Sequence, residues 1–170
     1  MRAIIITGRL VQDHEFIYPY YRLQEEEYEV DVATKNKETV LGYFDTTIIP
    51  TKSISELKIE DYDLLVLPGG VKAMEHMRQD EEIIKFISDF HYAGKVIACI
   101  CSATQLLISA KIVAGKHISG YYAMKDDITN AGATYVDAPT VIDSKIITSS
   151  HYKHLGPWMK TVFNEVNQCK

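Results

Sequence analysis

Short apolar runs recur along the chain at Ala3 to Ile6, Val30 to Ala33, Leu64 to Leu67 and Val96 to Ile100. Each is too short for a helix. None alternates strictly between apolar and polar residues, and such continuous apolarity suits a parallel strand covered on both faces. Between the first two runs, Phe16, Tyr20 and Leu23 fall at i, i+4 and i+7 and predict a helix from about Glu15 to Glu26. Pro19 is expected in or near its first turn, where a missing N–H removes no intrahelical bond. A second helix is marked by Asp80 as N-cap, Glu81 and Glu82 in the first turn, Ile83, Ile84, Ile87 and Phe90 as its apolar face, and Gly94 as its stop. A third, short helix is predicted from Ser102 to Lys111. The last starts with Pro157 at its first position and carries Trp158, Val162, Phe163 and Val166 on one face. The β-branched segment from Thr34 to Lys58 predicts a small hairpin or edge strand.

Strands and helices that alternate in this way specify a doubly wound, mostly parallel sheet with helices on both faces, because right-handed crossovers distribute them so. The chain length of 170 residues fits a single domain, and no repeat or linker interrupts it. Ligands of such sheets bind beyond the carboxyl ends of the strands, so chemistry is to be sought just after each apolar run.

Composition narrows the partners. No apolar run approaches the roughly 18 residues that span a bilayer, and the N-terminal MRAIIITGRL lacks the longer apolar stretch and cleavage site of a secretory signal. No membrane role and a cytoplasmic location are therefore expected. A net charge of −5 without a basic cluster repels a phosphate backbone, which disfavours nucleic acid and leaves small molecules or proteins. The segment GRLVQDHE contains neither G-x-G-x-x-G nor a P-loop, so no nucleotide or flavin cofactor is expected. Cys99, Cys101 and Cys169 are expected to be reduced, since the first two are too close along an extended strand to bridge. They also lack the second ligand pair of a zinc site, and no metal is expected.

Three strand ends stand out: Gly8 to Glu15, Pro68-Gly69-Gly70, and Cys101-Ser102. Paired glycines after a strand serve either as an ordinary turn or as a source of unobstructed N–H donors for an oxyanion. Cys101 follows the run VIACI and precedes a helix, so its sulfur is expected at the positive end of that helix with a lowered pKa. Cys99, within the strand, and Cys169, one residue from the C-terminus, have no such setting and read as inert. Cys99 and Ala103 occupy the glycine positions of the hydrolase G-x-S-x-G elbow, which disfavours that fold.

Several segments together resemble the ThiJ/PfpI superfamily, in particular its PfpI-like intracellular protease/amidase branch: DHEFIYPYYRLQEEEYEV, DYDLLVLPGG, GKVIACICSATQLLISAKIVAGK, KDDITNAGATYVD and ITSSH. The resemblance spans nearly the whole chain. It implies a flavodoxin-like, class I glutamine amidotransferase-like α/β fold, homo-oligomers (dimers or higher), and a nucleophilic cysteine at Cys101. It also implies that Glu15 sits beside this cysteine and that Tyr121 lies near it.

Three positions depart from the branch pattern. Ser102 stands where the active members carry histidine, Gln12 where a glutamate is usual, and His151 where relatives often carry arginine. His14 and His151 are the remaining candidates for a base or a pocket wall; each is otherwise a surface or structural histidine. The pattern implies a cysteine-dependent enzyme acting on a small electrophilic carbon (aldehyde, amide-like or isocyanide-type) by hydrolysis, hydration or lyase chemistry. Gly69, Gly70 and the Ser102 N–H are its expected oxyanion donors, and poor peptidase activity is expected. The alternative is a non-enzymatic stress-response or redox module using the same thiol.

Overall fold

A computed structural model describes residues 1–168. The chain opens with β1 (Arg2–Ile6), α1 (Asp13–Glu25) and β2 (Glu29–Thr34). A short hairpin of β3 (Val40–Leu41) and β4 (Thr47–Ile48) follows, then β5 (Lys52–Ser53), β6 (Leu64–Leu67), α2 (Val71–Met77) and α3 (Glu81–Tyr92). Next come β7 (Val96–Ile100), α4 (Thr104–Ser109), β8 (His117–Ile118), α5 (Lys125–Asn130) and β9 (Thr134–Tyr135). The chain ends on β10 (Val141–Asp143), β11 (Ile146–Ser149) and α6 (Leu155–Gln168).

The main sheet has the order β10-β11-β7-β6-β1-β2-β5, and every pairing in it is parallel except β10 with β11. The expected flavodoxin-like, doubly wound architecture is present. β6 and β7 are buried along their whole length, because helices cover both faces and leave no position for a polar side chain. The order reverses beside β1, which brings the carboxyl ends of β1, β6 and β7 together at the crevice where such sheets bind ligands. The segment between β2 and β6 supplies both alternatives expected of it, a hairpin and an edge strand, β5.

The helices differ from expectation in detail. α1 begins at Asp13, so Pro19 lies mid-helix and buried, not in the first turn. Its missing N–H leaves the Glu15 carbonyl without an i+4 donor. The apolar face formed by Phe16, Pro19 and Leu23 is buried, and this burial outweighs the lost hydrogen bond. α6 starts two residues before Pro157, which still sits in the first turn where no N–H is needed. The helix after Cys101 begins as a 3-10 turn over Cys101–Ala103, and α4 is only six residues long. α3 is capped as read: the Asp80 carboxylate accepts from the Glu82 and Ile83 N–H groups. Cys169 lies outside the described residues.

Candidate active site

The sequence places Cys101 directly after β7, and the backbone there turns abruptly. Ile100 is still extended, with φ −135°, whereas Cys101 has φ +59°, a left-handed conformation that side chains other than glycine rarely adopt. The elbow persists because its carbonyl is held from two sides. The Thr104 hydroxyl donates to Cys101 O at 3.1 Å and the Tyr121 N–H at 3.3 Å. Strain of this kind is maintained only where surrounding contacts over-determine it.

Two hydrogen bonds join the start of α1 to the turn after β6. Gln12 N–H donates to Gly69 O at 3.0 Å, and Gly69 N–H donates to the Glu15 carboxylate at 2.8 Å. Only glycine fits at position 69. A Cβ there would lie 2.6 Å from Glu15 Oε2, 2.8 Å from the Ile100 carbonyl and 3.0 Å from Cys101 Cβ, so three elements converge on one point. Gly70 has φ +110°, and its own Cβ would meet Gln12 N at 2.6 Å.

Glu15 is wholly buried, and its Oε1 has no hydrogen-bond partner among the described residues. Burial raises its pKa to about 7; the neighbouring Cys101 thiol and the Gly69 N–H act against that rise without cancelling it. The thiol and carboxyl lie close enough to shift each other's proton affinity. No aligned hydrogen bond joins them in the resting geometry.

The expectation of a lowered thiol pKa is corrected. Burial pushes Cys101 up to about 12, and the Glu15 charge adds to the rise, against the Ser102 hydroxyl and N–H. The Ser102 hydroxyl lies 3.7 Å from the sulfur. The helix-terminus effect is weak here because the first turn is 3-10 and α4 is short. Near neutral pH the resting thiol therefore keeps its proton, and the neighbouring ionisable group able to accept it is the Glu15 carboxyl. Burial also pushes the Cys99 thiol, wholly enclosed within β7, well up from its ordinary value, and it remains an inert core thiol.

A cleft of about 410 Å³ opens over the sulfur. Of the residues singled out in the sequence, Gln12, Glu15, Gly70, Cys101, Ser102, Tyr121 and His151 line it. Gly69 lies beneath it, and its N–H is engaged by Glu15, which removes this group from the expected oxyanion donors. His14 is not part of the wall. Its ring is exposed and stacks on Tyr152, with 5.3 Å between ring centres, and it lines a separate depression with Tyr18 and Tyr21.

His151 faces the cleft without acting as a free base. Its Nδ1 accepts the Lys153 N–H at 3.2 Å, which assigns the proton of the neutral ring to Nε2. Burial, aided by the Lys153 and His154 charges, lowers its pKa and keeps the ring neutral at pH 7. Tyr121 donates its hydroxyl proton to Tyr122 at 2.8 Å, a bond that raises its pKa to about 12. Its proton is thus directed at the Tyr122 hydroxyl oxygen in the resting state.

Six residues escaped the sequence reading. Val71, Gln105, Ala123, Met124 and Tyr152 complete the wall, with Gln105 braced by Arg78 Nη1 at 3.2 Å. Gln105 lies one helical turn after Cys101, a spacing that could have flagged it. Asp13 is buried beside the site, and its carboxylate accepts the Phe44 N–H at 2.8 Å and the Thr46 N–H at 3.0 Å. These bonds fasten the β3–β4 hairpin to the start of α1. Burial raises the Asp13 pKa, but hydrogen bonds to Thr46 and Phe44 outweigh it and the net shift is downward.

The model of the DJ-1/PfpI family matches residues 1–165. The chain belongs to this family. A Pyrococcus abyssi protein named as a deglycase is 36% identical over 160 residues, covering 94% of this chain and 96% of the relative. General stress protein 18 of Bacillus subtilis is 32% identical over 150 residues, with 86% of each chain covered. The crystal structure of Drosophila melanogaster DJ-1beta superposes with a TM-score of 0.90 at 27% identity, covering 97% of this chain and 89% of the other. Among the described residues, no helix is long and apolar enough to cross a membrane.

Proposed function

We propose that this DJ-1/PfpI member is a cysteine-dependent enzyme in which Cys101 attacks a small electrophilic carbon, with Glu15 accepting the thiol proton. The observation that carries the reading is one juxtaposition: a strained cysteine beside a buried carboxyl with one unpartnered oxygen and a pKa of about 7. As sulfur bonds to a carbonyl carbon, the π pair moves to oxygen and the thiol proton passes to Glu15. In this reading the N–H groups of Gly70 and Ser102, both of which line the cleft, stabilise the oxyanion. Return of the proton from Glu15 then neutralises the adduct or assists its breakdown. A relative named as a deglycase fits attack on an aldehyde-derived carbon.

Peptide cleavage is disfavoured, because an amide must expel an amine that takes up a proton. Ser102 replaces the histidine that would supply it, and its hydroxyl is too weak an acid near pH 7. The deciding comparison is turnover of methylglyoxal, a glycated amino acid and a fluorogenic peptide by the parent, Cys101→Ala and Glu15→Gln. Turnover of either aldehyde-derived compound that both substitutions abolish is the expected result. Cys101-dependent cleavage of the peptide alone would overturn the assignment.

A second reading is favoured by one observation, the stress-protein relative. Two equivalents of peroxide would add two oxygens to the Cys101 sulfur and release two waters, and the protonated Glu15 carboxyl would donate a hydrogen bond to the sulfinate. Stoichiometric gain of two oxygens at Cys101 without turnover of any electrophile would select this reading.

A further inference from the structure

The cleft over Cys101 is chemically one-sided. Among its lining side chains Glu15 is the only acid, and neither lysine nor arginine is present. Its outer rim is built of rings. The Tyr121 ring centre lies 6.1 Å from that of His151, and His151 lies 4.0 Å from Tyr152. Tyr122 extends this rim at 4.2 Å from Tyr121, and Tyr122 and Tyr152 are exposed.

We propose that this cleft selects electrophiles bearing an uncharged or cationic planar group and discriminates against anionic ones, with Tyr152 and His151 as the stacking surface. The proposal rests on Cys101 being the reactive group. An anion entering the cleft meets the buried Glu15 carboxyl and no cationic side chain, so it loses hydration without gaining an opposite charge. A planar group gains ring contacts at the rim, and a cation gains attraction both to the ring faces and to Glu15. At the position where the resemblance leads one to expect arginine, His151 is neutral and gives an anion no compensating charge.

Alkylation of the full-length folded protein tests this without knowledge of the natural substrate. The probes are iodoacetamide, iodoacetate, N-propyl iodoacetamide and N-benzyl iodoacetamide. In each reaction a sulfur–carbon bond forms, the carbon–iodine bond breaks, iodide leaves with the bonding pair, and the thiol proton passes through Glu15 to water. The rate at Cys101 is followed by mass spectrometry and divided by the rate for the same thiol in denatured protein. Iodoacetamide is expected to outpace iodoacetate by about tenfold after this correction, an effect of about 1.4 kcal/mol. The benzyl reagent is expected to outpace the propyl one by about fivefold, within the range of one aromatic contact. Tyr152→Leu, which keeps bulk but removes the ring, brings the benzyl-to-propyl ratio back towards one. Corrected iodoacetate and iodoacetamide rates that are equal overturn the charge selection. A benzyl preference that is absent from the parent, or unchanged in Tyr152→Leu, overturns the stacking surface. Failure of every reagent to modify folded Cys101, when the denatured thiol reacts readily, overturns the nucleophile reading and this inference with it.

Discussion

The Gly69 N–H donates to one oxygen of the Glu15 carboxylate at 2.8 Å, while the other oxygen stays buried and unpartnered beside Cys101. The bond fixes where the carboxyl sits and leaves it one basic site. Burial raises the Glu15 carboxyl to about 7 and the Cys101 thiol to about 12, so of these two neighbours the carboxyl gives up its proton first.

The form of the pair that attacks is the one holding a single proton. Alkylation of Cys101 is therefore expected to rise through about pH 7 and then level off, whereas an ordinary cysteine rises through about pH 8.5. Glu15→Gln removes the acceptor, so the inflection near pH 7 disappears and the rate at pH 8 falls by about 100-fold, the low end of general-base effects. Rates measured with iodoacetamide between pH 5.5 and 9 check this. A mutant profile that overlays the parent would remove Glu15 from the mechanism.

Stability should carry the same signature with a defined sign. The Glu15 pKa is raised from 4.5 to about 7 on folding, so the native state binds the proton more tightly than the unfolded chain. Its contribution to stability is fully present below pH 4.5 and is lost as pH rises through 7. The loss is about 3 kcal/mol. Glu15→Gln does not titrate and can still accept from Gly69, so its stability relative to the parent should increase by about that amount between pH 4 and pH 8. Urea denaturation at the two pH values measures the change, and a pH-independent difference would contradict the buried, weakly acidic carboxyl.

The positive φ of Cys101 predicts a difference between two inactive variants. Both Cys101→Gly and Cys101→Ala remove the thiol, but only glycine accepts φ +59° without strain. Cys101→Gly should be the more stable of the two by about 1 kcal/mol. If thermal or chemical denaturation ranks alanine first, the elbow is unstrained.

Gly69→Ala tests the point where the three elements meet. The added methyl would press on a carboxylate oxygen and on the Ile100 backbone carbonyl, and the latter cannot yield without moving β7. A loss of about 1–3 kcal/mol is expected, together with slower Cys101 alkylation at pH 8. Normal stability with parent-like labelling would show that the turn has room.

The sheet was legible in the sequence because β6 and β7 are buried on both faces, and that burial writes itself as unbroken apolar runs whose ends were read correctly. Cys101 was legible for a related reason: a cysteine where such a run gives way to a helix can only sit at a strand end. The short helices α2 and α5 were not legible, since seven and six residues provide too few turns for a periodic signal. Pro19 misled because local propensity places proline in a first turn, whereas packing of its apolar face holds it mid-helix. The protonation of the site belonged entirely to tertiary structure. Sequence position suggested a thiolate at a helix end, but the sulfur's proton affinity is governed by desolvation and by a carboxyl 86 residues earlier in the chain. Likewise, no local pattern could show that Gly69 gives its N–H to Glu15, that His14 turns away from the cleft while His151 enters it, or that Tyr152 completes the rim. Hydrophobic periodicity is a property of neighbours along the chain and survives in the sequence; electrostatics and hydrogen bonding depend on distances between segments, which exist only once the chain has folded.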